Sequence, residues 1–100
     1  MTWTIHGDRG SGSQIPEMLL AEVGADIALV DHALETNAQR DPAYLAINPM
    51  GQLPAVITPD GQLLTESAAC LIFIAESFPQ ARLAPPPGHR DRAKFLRWVM

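Results

Sequence analysis

The sequence predicts a small α/β fold built on a mixed four-stranded sheet, on three observations. The chain opens with an alternating β-branched and aromatic run, Thr2-Trp3-Thr4-Ile5-His6. A helix-length stretch then separates it from a second short extended run, Ile27-Ala28-Leu29-Val30. Further on, two short extended runs flank Pro59-Asp60-Gly61. Strand–helix–strand implies a parallel pair with a right-handed crossover, and the later hairpin adds antiparallel strands to the same sheet.

Each element has its own local reason. Thr2 to His6 has the side-chain chemistry and alternation of a strand. Gly7-Asp8-Arg9-Gly10-Ser11-Gly12-Ser13 is a Gly/Ser loop. Pro16 suits the first turn of a helix, where its missing N–H costs nothing. Met18, Leu19, Ala21 and Val23 supply that helix's apolar positions, and Gly24 its C′ stop. Ile27 to Val30 is almost continuously apolar, which predicts a second strand buried on both faces. A short helix is expected from about Asp41 to Ile47, ahead of Asn48-Pro49. Ala55 to Thr58, the Pro59-Asp60-Gly61 turn and Gln62 to Leu64 form a hairpin. Ala68 to Ser77 is helical by length and apolar nearly all round, which predicts an interior helix. Ala84-Pro85-Pro86-Pro87-Gly88 is a stiff linker. From His89 another helix begins, ending in apolar Phe95, Leu96, Trp98, Val99 and Met100. The expected organisation is a domain over residues 1–80, then a linker and helix over 81–100.

Composition removes several function classes. A net charge of −4 gives no electrostatic reason to expect a nucleic-acid partner. Arg90, Arg92, Lys94 and Arg97, with Asp91 among them, read as a solvated helix face. No stretch approaches the ~20 apolar residues that span a bilayer, and the N-terminus lacks a secretory pattern. The single cysteine cannot form an internal disulfide, in keeping with a cytoplasmic location. His32 and His89 lack metal-ligand spacing with Cys or a carboxylate, so no metal is expected. His6, at a strand end, reads as a satisfied sheet histidine. Without Cys-x-x-Cys, a P-loop or a dinucleotide fingerprint, dithiol and nucleotide chemistry are not expected.

The chemically richest stretch runs Asn48-Pro49-Met50-Gly51-Gln52-Leu53-Pro54-Ala55-Val56, followed by Thr65-Glu66-Ser67. Pro54 cannot donate to a ladder and belongs at a strand start or edge. Leu53 before it is pushed to an extended backbone, leaving its N–H and C=O available to an extended peptide. Thr65-Glu66-Ser67 opens an apolar run and reads as a helix start, whose free N–H groups and dipole suit a carboxylate. An extended edge beside an anion-binding helix start suits a small, carboxylate-bearing peptide. Taken singly, Thr65 or Ser67 also reads as a helix cap and Glu66 as a dipole partner.

These residues, continuing through the hairpin to Phe78-Pro79, resemble the second half of the thioredoxin-like domain of cytosolic glutathione transferases. The resemblance implies that domain over residues 1–80, and the first helix of an all-helical second domain near the C-terminus. It also implies a cis Leu53–Pro54 bond. In glutathione, the γ-glutamyl ammonium would face Glu66 and the α-carboxylate would meet the Ser67 hydroxyl and N–H, with Gln52 adding a contact. The family stabilises the glutathione thiolate with a Tyr, Ser or Cys near the start of the first helix. Tyr44 lies in another segment, and Cys70 reads as an inert core thiol. Gly12 stands where the cysteine of bacterial beta-type enzymes would be, flanked by Ser11 and Ser13. Ser11 is favoured as the activating hydroxyl and Ser13 as the helix cap, with a loop N–H as the alternative donor. The implied reaction is attack of bound glutathione on a small electrophile, with glutathione as co-substrate, no permanently bound cofactor, and a homodimer as the assembled form. On its own the 100-residue chain is expected to be weakly active or inactive. Two alternatives are a non-catalytic interaction or regulatory protein and a glutathione-dependent isomerase, lyase or peroxidase on the same scaffold.

Overall fold

The computed structural model describes residues 1–100. Strand β1 (Thr2–Gly7) leads through the Gly/Ser loop into helix α1 (Gln14–Glu22) and strand β2 (Asp26–Asp31). Two 3-10 turns, Leu34–Thr36 and Ala38–Arg40, precede a single-turn helix α2 (Pro42–Leu45). Strands β3 (Ala55–Ile57) and β4 (Leu63–Thr65) form the hairpin, followed by helix α3 (Ser67–Ser77). A 3-10 turn at Pro79–Ala81 and the proline-rich segment lead to helix α4 (Arg92–Val99).

The sheet order is β2-β1-β3-β4. β1 pairs in parallel with β2, Ile5 opposite Leu29, and antiparallel with β3, Ile5 opposite Val56. The sheet is therefore mixed and β1 is central, as the element order implies. Alternation along β1 sends Trp3 and Ile5 to one face and His6 to the other. Trp3, Ile5 and Val56 meet Leu20 of α1 and Cys70 and Ile74 of α3 in the core. Trp3 also packs edge-on to Phe73 and tilted against Phe78, with ring centroids 6.3 and 5.9 Å apart. Helices α1 and α3 thus cover one face of the sheet. α1 ends in a Schellman motif. Gly24, at φ +71°, donates to Ala21 O, and Ala25 donates to Leu20 O.

Two burial expectations fail for a shared reason. β2 is not buried on both faces: it is the outer strand, and Leu29 is 54 % exposed. The opposite face is covered only by the single turn of α2 and its neighbours, near His6, so most of β2 stays uncovered. α3 is likewise not an interior helix. Cys70, Ile74 and Ala75 are buried, while the rest of its surface is half-buried or open. Continuous apolarity permits burial on every side but does not supply a second layer.

The basic C-terminal segment also departs from a uniformly solvated face. Arg92 is drawn inward, donating from Nη1 to Pro85 O at 2.8 Å and from Nη2 to Glu76 Oε2 at 3.1 Å. Its guanidinium also lies over Phe95. α4 is tied to the domain through this arginine, and Trp98 remains 73 % exposed. No helix is long and apolar enough to cross a membrane.

Candidate functional site

Three segments distant in sequence converge at one end of the sheet: the loop after β1, the residues entering β3, and the start of α3. The Leu53–Pro54 peptide bond is cis and Pro54 is buried. The N–H and C=O of Leu53 make no hydrogen bond within the chain. Beside them, the Ser67 hydroxyl donates to Gly12 O over 3.4 Å. A Cβ on Gly12 would stand 2.5 Å from Ser67 Oγ and 3.6 Å from Pro54 Cδ. At position 12 a side chain would therefore occupy the space of the Ser67 hydroxyl. Such a side chain would require the Ser67 hydroxyl to rotate away from Gly12 O, while Pro54 would stay at ordinary contact distance.

Glu66 precedes α3 with φ 68° and ψ 122°, a left-handed value that a residue with a Cβ adopts only when its surroundings impose it. Its carboxylate is exposed and forms no ion pair. No side chain caps α3, so Ser67 is its first helical residue and not its cap. The first-turn N–H groups of Ser67, Ala68 and Ala69 have no acceptor within the chain. Expected ligand residues Leu53, Pro54, Glu66 and Ser67 thus come together. The Gln52 side chain is exposed, and the fixed feature of that residue is its carbonyl.

The loop serines form a network of their own. Ser11 Oγ donates to Asp8 O at 2.6 Å and accepts from Ser13 N at 3.2 Å. Ser13 Oγ lies 3.0 Å from Asp8 O and 2.8 Å from Ser11 Oγ. Ser13 was expected to cap α1, but its side chain makes no cap bond. It is buried and turned back onto Asp8, whose carbonyl it shares as acceptor with the N–H and hydroxyl of Ser11. The Gly12 N–H between the two serines has no partner within the chain.

Behind the site lies a cluster that local sequence patterns did not reveal. His6 Nδ1 and His32 Nε2 are 2.9 Å apart, and the Tyr44 ring stacks at 4.3 Å from His32 and 5.7 Å from His6. Burial, reinforced by the neighbouring His32, holds His6 below the usual histidine range. Burial also pushes the Tyr44 hydroxyl up, partly opposed by Asn48. Tyr44 lies on α2 and Asn48 three residues beyond its end, so no helical spacing signalled their shared position.

Cys70 is fully buried in the core, and burial pushes its thiol up from 9.0 to about 11. The folded chain therefore keeps a proton that the unfolded chain releases above about pH 9. Stability is expected to fall as pH rises from about 9 towards 11. Denaturant melts across that range should show a shallower fall for Cys70→Ala.

A model of the family described as Glutathione S-transferase, N-terminal domain, matches residues 2–76. Glutathione S-transferase GstA of Escherichia coli O157:H7 is 34 % identical over 91 residues, which is 90 % of this chain and 45 % of that protein. Maleylacetoacetate isomerase of Pseudomonas aeruginosa is 43 % identical over 56 residues, 55 % of this chain and 26 % of that protein. A glutathione transferase homologue from Sulfitobacter, solved with bound glutathione, superposes with a TM-score of 0.85 at 31 % identity. It covers 93 % of this chain and 44 % of that one. The chain spans less than half the length of these relatives. With its thioredoxin-like β2-β1-β3-β4 sheet and the match over residues 2–76, the chain belongs to the glutathione S-transferase family through that family's N-terminal domain.

Proposed function

We propose that this chain binds glutathione at the Leu53–Pro54/Glu66–Ser67 junction and activates its thiol for attack on a small electrophile. The carrying observation is the convergence of an unpaired Leu53 main chain with the open N-terminus of α3 around Gly12, Pro54 and Ser67. An extended γ-glutamyl tripeptide supplies what each part lacks: a backbone for Leu53, an ammonium for Glu66 and a carboxylate for Ser67. Thiolate stabilisation falls to the Gly10–Ser13 loop, and catalysis consists of positioning and lowering the thiol's proton affinity. Residues 81–100 serve in this reading as the linker and first helix of an all-helical second domain that holds the electrophile. The exposed Trp98 and Met100 of that segment suit such packing. The assembled protein is a cytoplasmic homodimer in this reading.

A glutathione-dependent isomerase is the second reading, favoured by the 43 % identity to a maleylacetoacetate isomerase over 56 residues. It requires the same glutathione site and differs only in the second substrate.

Calorimetric titration with glutathione tests the shared premise. Ser67→Ala is expected to weaken binding by about 1.5–3 kcal/mol through loss of a charge-assisted bond. Glu66→Ala is expected to cost less, about 1 kcal/mol, because the carboxylate is exposed and its ion pair is screened. Unchanged affinity in both variants would reduce the pair to a helix start.

A further inference from the structure

We propose that Tyr44 and Asn48 are positioning residues for the peptide ligand, fixing the Gln52–Leu53 peptide so that the Leu53 N–H stands ready as an outward donor. This inference rests on the glutathione-binding reading and deepens it.

Tyr44 Oη donates to Gln52 O at 2.7 Å, and Asn48 Nδ2 donates to the same oxygen at 3.0 Å. Tyr44 is 1 % exposed and Asn48 2 %, so both donors act from dry positions. A carbonyl oxygen has two lone pairs, and here both are taken. The chain's cis bond is Leu53–Pro54, so the preceding Gln52–Leu53 bond is trans. In a planar trans peptide the N–H points opposite to the C=O. Drawing the Gln52 oxygen inward therefore turns the Leu53 N–H outward, where nothing in the chain accepts it.

The two donors are themselves held. Tyr44 is stacked on His32 and His6, and the two histidines are joined at 2.9 Å. Asn48 Oδ1 accepts from Met50 N at 3.2 Å, which sets the amide's orientation. Buried hydrogen bonds of this kind remove motion from the binding edge before the ligand arrives. That lowers the ordering cost of binding. The exposed Gln52 side chain takes no part, so the contribution of position 52 lies in its carbonyl.

The test uses the isotope-labelled chain titrated with glutathione and followed by amide and carbonyl resonances. Tyr44→Phe removes one oxygen and keeps the ring on the histidines. Glutathione affinity is expected to fall about three- to tenfold, the equivalent of roughly one neutral hydrogen bond. The Gln52 carbonyl resonance should move in the free chain. On titration, the ligand-induced shift of the Leu53 amide should shrink while that of the Ala68 amide is kept. The double variant Tyr44→Phe/Asn48→Ala should weaken binding further. A purely structural role would instead lower the melting temperature and diminish both amide shifts together, which would overturn the proposal. Equal affinity in wild type and both variants would overturn it while leaving the glutathione site standing. Absence of binding by the wild-type chain would overturn both.

Discussion

Gly7→Ala is expected to destabilise the chain by about 3 kcal/mol or more, a large part of the stability available to a domain of this size. Gly7 ends β1 at the point where α1 begins to pack, and a Cβ there would overlap Ser13 Cβ and Oγ. Neither side can yield cheaply. Gly7 pairs with Asp31 in the parallel ladder, and its carbonyl accepts from His32 N at 2.9 Å. Ser13 is buried, its hydroxyl is bound to Asp8, and its carbonyl accepts the Glu17 N–H. The added methyl would have to push the start of α1 away from β1. Gly10→Ala supplies the contrast. A Cβ there meets nothing within 4 Å, and only its φ of +83° opposes substitution, at a cost of about 1–2 kcal/mol. Denaturant unfolding of the two variants checks the difference. Equal, small losses would mean that the β1–α1 junction is loose.

The particular residues show which features were legible. Alternation in Thr2–His6, the Pro16 and Gly24 boundaries and the Pro59-Asp60-Gly61 turn are all local signals, and the elements lie where those signals put them. The Asn48–Val56 and Thr65–Ser67 stretches carried the family because their chemistry is written in consecutive residues. Burial of Leu29 and of the outer side of α3 was misjudged, since a sequence shows that a run can be covered but not what covers it. His6 and His32 lie 26 positions apart and meet only because the parallel register sets His6 opposite Val30, with His32 just beyond the strand. Tyr44 looked misplaced for catalysis because its role is exercised on a carbonyl eight residues away. Contacts made through register and loop closure have no local signature.

The larger functional effect is expected at Ser11. A thiol with an ordinary pKa near 8.5 is mostly protonated at neutral pH, so activation needs a donor that prefers the thiolate. A hydroxyl has one proton, and Ser11 gives its own to Asp8 O at 2.6 Å. That bond is dispensable, because Ser13 Oγ lies 3.0 Å from the same oxygen and can satisfy it alone. Ser11 is half-buried and would have to rotate out of its bond to Asp8 to meet a ligand, whereas Ser13 is only 5 % exposed. On the proposed reading the two serines divide the work: Ser13 would hold Asp8 while Ser11 turned its proton to sulfur. A positioned donor to a developing anion is worth about 2.7–4 kcal/mol, or roughly a hundred- to thousandfold in rate. Ser11→Ala is therefore expected to raise the thiol pKa of bound glutathione by about two units or more, with affinity nearly unchanged. Ser13→Ala is expected to cost about 1 kcal/mol of stability, through loss of the buried hydroxyl's bonds to Asp8 and Ser11. Thiolate absorbance of bound glutathione, followed against pH, separates the two effects. If both variants and the double variant titrate as the wild type does, the hydroxyls are not the donors. The unpartnered Gly12 N–H, which the serine substitutions leave in place, then becomes the candidate donor to the thiolate.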